Sequence, residues 1–208
     1  VNLVFLGPPG VGKGSLAVRI ASEYNLLHIS TGDMLRAEIA AGTELGRLAE
    51  KYINDGNLVP DSVIIDMLLA KLESESASNG YILDGFPRTL NQARELDKHV
   101  RIDAAISLEA PEAVLLDRIA NRRVCPACGK GHIAHKMNGR LCDCGAEVVT
   151  RDDDKAEVAK ARLETHNRLT APVLDYYKDT GKLISVDAND TMEGVANKVQ
   201  RILEELGR

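Results

Sequence analysis

The sequence has no tryptophan and only two phenylalanines, so its core must come from Leu, Ile, Val and Ala. No stretch approaches the ~20 consecutive apolar residues that a spanning helix needs, and no membrane partner is expected. Nor is there an excess of positive charge: 26 Lys and Arg stand against 31 Asp and Glu, a formal net charge of −5. That balance argues against a nucleic-acid partner, although a focused arginine cluster can sit in an acidic chain. Internal repeats and low-complexity linkers are absent. No charged-then-apolar leader precedes the first apolar run, which sets the expectation of a cytoplasmic protein. Cysteine is missing everywhere except residues 125–144, where all four fall. Such clustering speaks against scattered disulfides and for a bound metal.

With 208 residues, 44% of them apolar, the chain can bury one core and carry one or two insertions. Leu-rich or β-branched runs at 1–6, 26–30, 81–84, 104–108 and 183–186 read as strands. Amphipathic segments at 15–24, 33–40, 45–55, 62–74, 90–99, 112–121, 156–178 and 192–206 read as helices. Pro111 is expected at a first helical position, and Asp190 with Glu193 as a capping pair. The alternation predicts an α/β fold: five parallel strands flanked by helices on both faces. Stretches 30–59 and 122–155 break the rhythm and read as insertions on a core of 1–29, 60–121 and 156–208. Both are expected at the carboxyl ends of the strands, where ligands bind in such folds.

After the first strand comes Gly7-Pro8-Pro9-Gly10-Val11-Gly12-Lys13-Gly14-Ser15, the spacing of a phosphate-binding loop. Glycines let backbone N–H groups close on phosphate oxygens, the helix N-terminus adds partial positive charge, and Lys13 adds a full one. The strict motif places Ser or Thr directly after the lysine; here Gly14 intervenes and Ser15 carries the hydroxyl. The apolar strand 81–84 ends in Asp84, the usual place for a carboxylate that holds Mg²⁺ or its waters. Arg88 supplies a planar fork for phosphate, and Gln92 a donor and an acceptor for a base edge.

These motifs continue through Ser30-Thr31-Gly32-Asp33-Met34-Leu35-Arg36, Gly56-Asn57-Leu58-Val59-Pro60-Asp61, Asp84-Gly85-Phe86-Pro87-Arg88-Thr89, Asp117-Arg118-Ile119, Arg122-Arg123, Arg151-Asp152-Asp153-Asp154 and Arg162. In that order, over nearly the whole chain, they resemble the signatures of the adenylate kinases. The resemblance implies the P-loop nucleoside-kinase fold, a nucleoside-monophosphate-binding insertion at 30–59 and a lid at 122–155. It implies that Gly10, Val11, Gly12, Lys13, Gly14 and Ser15 hold ATP phosphates. Arg118 would stack on the ATP adenine, and His132 would approach the ATP nucleoside. Thr31, Arg36, Leu58, Val59, Gly85, Arg88 and Gln92 would line the AMP site. Arg122, Arg151 and Arg162 would gather round the moving phosphoryl group, the latter two also touching AMP. Leu16 and His132 depart from the family, which often has Gln and Tyr there.

The implied reaction is Mg²⁺-ATP + AMP ⇌ 2 ADP, catalysed by a monomer. It fits the residues, because an acceptor phosphate, with a second pKa of about 6, needs no general base near neutrality. Catalysis is then positioning and charge neutralisation, with Lys13, Arg36, Arg88, Arg122, Arg151 and Arg162 as its six cations. Competing readings are a kinase for UMP or CMP and a non-catalytic nucleotide switch.

Cys125-Pro126-Ala127-Cys128 is one half of a zinc knuckle, and Cys142-Asp143-Cys144 follows it. The family includes a zinc-bearing lid with two pairs of the first spacing. Here the second pair is tighter, which leaves Cys142, His132 or His135 as the third ligand. A four-thiolate site would be structural Zn²⁺, although iron and cobalt also accept thiolates.

Overall fold

The computed structural model describes residues 1–74 and 79–207. Residues 75–78 and 208, within the expected core segments, lie outside the described residues. The chain begins with β1 (Asn2–Leu6), α1 (Lys13–Tyr24), β2 (Leu27–Ser30), α2 (Thr31–Ala41), α3 (Glu44–Asn54) and α4 (Asp61–Ser74). Next come β3 (Tyr81–Asp84), α5 (Leu90–His99), β4 (Ala104–Glu109), α6 (Glu112–Ala120), β5 (Arg122–Val124) and β6 (Gly131–Ile133). The last elements are α7 (Ala156–Leu169), α8 (Ala171–Asp179), β7 (Leu183–Asp187) and α9 (Met192–Glu205).

Five strands form one parallel sheet in the order β2-β3-β1-β4-β7, as the alternation of runs predicts. Side chains alternate across it. Leu3 and Phe5 join Leu16, Ile20, Val199 and Leu203 on one face, while Val4 and Leu6 join Leu68, Leu96, Val173 and Tyr177 on the other. Both faces being covered is why these strands read as continuous apolar runs. The register sets Asp84 beside both Phe5 and Ser30, so three strand ends come level. The glycine-rich loop, Thr31 and Gly85 therefore leave the sheet together.

Helix starts follow local hydrogen-bond logic. Ser30, Thr43, Thr89 and Thr191 accept from the backbone N–H three residues on, at α2, α3, α5 and α9. The capping expectation at the last helix is corrected. Thr191 is the cap, Glu193 instead pairs with Arg19 at 2.6 Å, and Asp190 with Lys198 at 3.1 Å. Pro111 stands just before α6 rather than as its first residue.

The expected single helix 156–178 is two helices. Pro172 has no N–H and its ring disfavours the preceding turn, so α7 stops and α8 restarts at Ala171. The break leaves Thr170 free to donate its hydroxyl to the Arg88 carbonyl at 3.0 Å.

Stretch 30–59 holds α2 and α3, packed so closely that a Cβ on Gly46 would lie 2.1 Å from the Glu38 carbonyl oxygen. Stretch 122–155 holds the antiparallel β5–β6 pair, with single bridges Val124–Val149 and Leu141–Glu147. Among the described residues no helix is long and apolar enough to cross a membrane.

Candidate active site

Between β1 and α1 the backbone passes through Gly7, Gly10 and Gly12 at φ +135°, +83° and +99°, where only glycine is comfortable. Space is equally restrictive. A Cβ on Gly7 would sit 2.5 Å from the Leu108 carbonyl oxygen, and one on Gly10 2.7 Å from that of Leu115. No side chain caps α1, so its first N–H groups are available to an anion. Lys13 Nζ donates to the carbonyls of Gly7 at 2.6 Å and Pro8 at 3.1 Å. Burial pulls its pKa down to about 8, opposed by Asp84 and reinforced by Arg88, Arg162 and Arg122.

Asp84 is buried at the end of β3, its Oδ2 3.2 Å from where a Cβ on Gly14 would stand. A Ser or Thr at position 14 would press on the carboxylate, which would have to give by a few tenths of an ångström. His28 Nε2 lies 3.6 Å from the same oxygen.

The remaining cations are held by carboxylates and carbonyls. Arg88 donates through Nε to the Gly85 carbonyl at 2.7 Å. Arg36 contacts Asp33 at 2.5 Å, and Arg151 approaches the same carboxylate at 3.9 Å. Arg122 makes a two-pronged contact with Asp154, Nε to Oδ2 at 2.7 Å and Nη2 to Oδ1. Arg162 reaches Asp153 at 3.0 Å and Asp154 at 3.5 Å.

Six cations thus face four carboxylates: Asp33, Asp84, Asp153 and Asp154. The surplus shows in the titration of the group. Burial, then repulsion from Arg36 and Arg122, lowers Arg151 to about 10. Arg88 and Arg162 move down for the same leading reason. Burial alone would raise Asp153, but Arg162 foremost, with Arg122, Arg36 and Arg151, brings it below the usual range. A site this rich in mutually repelling charge is built to receive a polyanion.

A cavity of about 120 Å³ opens between these elements, lined by Lys13, Thr31, Arg36, Leu58, Val59, Gly85, Arg88 and Arg162. Gln92 does not line it. The Gln92 amide is engaged beneath, accepting from the Arg88 N–H at 2.7 Å and donating to Asp61 at 2.6 Å. Arg118 lies outside the cavity, bridging the Val11 carbonyl at 3.4 Å and the Ala188 carbonyl at 3.0 Å. His132 turns toward the cysteines, with Nε2 3.2 Å from Cys142 Sγ.

A sequence model of the adenylate kinases matches residues 5–182. A protein named adenylate kinase from Archaeoglobus fulgidus is 43% identical over 99% of both chains. Adenylate kinases from Kosmotoga olearia and Clostridium perfringens are each 42% identical, covering 99% and 98% of this chain and 100% and 97% of their own. The chain belongs to the adenylate kinase family. Members of this family are phosphotransferases acting on nucleotides, with ATP taken as its magnesium complex.

For a member of the adenylate kinase family, the cysteine cluster is the further chemical feature. The four Sγ atoms lie within 4.8 Å of one another, Cys125 to Cys144 at 3.4 Å and Cys128 to Cys142 at 3.6 Å. A tetrahedron with metal–sulfur bonds of about 2.3 Å has edges near ~3.8 Å, so the quartet fits one metal ion. Cys142 reaches despite the tight spacing, and His135 is not in the group. The Cys128 N–H brings the Cys125 thiol down to about 7, while, against the N–H groups of Lys130 and Ala146, neighbouring sulfurs raise Cys128 and Cys144.

Several positions of the site, Asp33 among them, had no assigned role in the sequence. Asp153 and Asp154 stand inside a quoted motif, yet nothing in three successive aspartates says which two turn inward. Thr170 is found only through the helix break, and His166 only through the cavity.

Proposed function

We propose that this chain transfers the terminal phosphoryl group of Mg²⁺-ATP to AMP, reversibly, giving two ADP. The observation that carries it is the cavity where loop lysine and three arginines converge beside the apolar wall of Leu58 and Val59. That wall suits a nucleoside, and the cations suit two phosphate chains that otherwise repel. The loop N–H groups from Gly10 to Ser15, with Lys13, hold ATP phosphates, and Asp84 stands where it can hold the magnesium waters. Arg118 offers its guanidinium face to the adenine. Arg36 and Arg88 grip the AMP phosphate; Thr31 and Gly85 border it. An oxygen of that phosphate attacks the γ-phosphorus while the bond to the β-phosphate bridging oxygen breaks. Arg122, Arg151 and Arg162 neutralise the charge as it shifts. No covalent enzyme intermediate is needed. The insertions 30–59 and 122–155 close over acceptor and donor to exclude water.

The test is ADP formation from Mg²⁺-ATP with AMP, UMP, CMP and GMP in turn. AMP should be preferred by about 10²-fold or more. Equal rates with UMP or CMP would move the assignment to another monophosphate kinase. Tight ATP binding without transfer to any acceptor would make the chain a switch.

In the lid, Cys125, Cys128, Cys142 and Cys144 hold Zn²⁺, a closed set with structural duty. So small a lid has little core of its own, and the metal would fix it. Metal analysis should return one zinc per chain. Cys142→Ser or chelation should remove the zinc and lower the unfolding temperature by roughly 5 °C, about 2 kcal/mol in a chain of this length. An unchanged melting curve after complete metal loss would reject the structural role. The protein works as a cytoplasmic monomer.

A further inference from the structure

One group in the cavity is used by none of the steps above. His166 follows Arg162 by four residues on α7, so both side chains leave the same helix face. It lines the cavity with Lys13, Arg88 and Arg162. Its ring makes no hydrogen bond or ion pair with any described residue, although the cations around it are all tethered. The charged groups acting on it from other elements are Lys13 at the head of α1 and Arg88 before α5, and Arg36 on α2 lines the same cavity. Asp153 is the one carboxylate among the described residues lining the same space, and it is occupied by Arg162.

We propose that His166 is a proton-accepting, phosphate-facing residue of this site, neutral until nucleotide phosphate enters and then protonated to bind it. The proposal rests on the phosphoryl-transfer function given above. Its physical basis is placement among fixed cations. Partial burial first, then Lys13 and Arg88, hold the ring down to about 4. A phosphate carrying close to two negative charges reverses the local field and presents an acceptor oxygen to the ring N–H. The imidazolium then adds a seventh positive charge only when there is an anion to receive it. A permanent lysine or arginine there would add to the repulsion already present.

The experiment is AMP binding followed by calorimetry at pH 6 in buffers of different ionisation enthalpy, comparing the natural chain with His166→Gln. If bound AMP returns the ring to the ordinary value of about 6.5, the natural chain takes up about 0.7 proton more than the variant. Its affinity ratio between pH 6 and pH 8 should exceed the variant's by about fourfold. Protonation of AMP itself is common to both proteins and cancels. A purely structural role would weaken binding equally at every pH.

Imidazole NMR on the natural chain gives the same answer without relying on a variant. The His166 titration should move from about 4 to 6 or above when AMP saturates the site. Equal proton counts in both proteins, or a ring still titrating near 4 with AMP bound, would overturn the proposal. An AMP titration with no binding at all would overturn the functional reading, and this inference with it.

Discussion

Lys13→Met should lower phosphoryl transfer by about 10³-fold while leaving the folded protein more heat-stable. The two effects have one origin. Lys13 is the only cation of the six that sits inside the glycine-rich loop, and it holds its charge against burial and three arginines. Removing it takes away the charge that reaches the phosphates and also the penalty for keeping that charge. The pH dependence has a definite sign. A lysine whose folded pKa of about 8 lies below the ordinary 10.5 opposes folding fully below pH 8. That opposition fades as pH rises from 8 toward 10.5 and vanishes above it. The variant should therefore melt higher at pH 7, with the advantage shrinking by pH 10. Single-turnover ADP formation and paired melting curves check both claims. Transfer within tenfold of the natural chain would remove Lys13 from the chemistry.

The second large effect belongs to Asp154. Its side chain is fully buried, and it receives Arg122 in a two-pronged contact and Arg162 at 3.5 Å. Asp154→Ala leaves two partly buried guanidiniums facing each other without their shared counter-charge. Loss of one partner from a buried pair costs about 3–5 kcal/mol, here roughly 10 °C in unfolding temperature. Asp154→Asn keeps the shape and should lose most of that stability too. The decisive comparison is the double variant Asp154→Ala with Arg122→Ala. If the ion pair is the cause, it should be more stable than Asp154→Ala alone, as urea unfolding would show. Additive losses would mean that Asp154 acts by packing rather than by charge.

How much of this the sequence discloses depends on the range of the force involved. Burial on both faces writes itself as apolar runs, so Val4, Ile82 and Ile106 mark their strands without a structure. The loop from Gly7 to Ser15 is equally visible, because positive φ and close approach to phosphate leave glycine little competition. Sheet order is not written there: nothing local tells β1 to lie between β3 and β4. The break at Thr170 is hidden because the amphipathic period runs on through Pro172 into α8. Side-chain direction is hidden as well. Gln92 has the chemistry to meet a base, but Asp61 and the Arg88 N–H already use its amide. His132 belongs to the segment 122–155, and Cys142, 10 residues further along the chain, decides where its ring points.

The contact between Arg122 and Asp154 joins the two ends of the segment 122–155 across 32 positions of sequence. Chain between two points so fastened behaves like a loop on a clasp. Lengthening such a loop is cheap, since each doubling costs only about 0.6 kcal/mol of closure entropy. A change in the length of chain between the fasteners should therefore leave Arg122 and Arg162, both held by Asp154, where they stand.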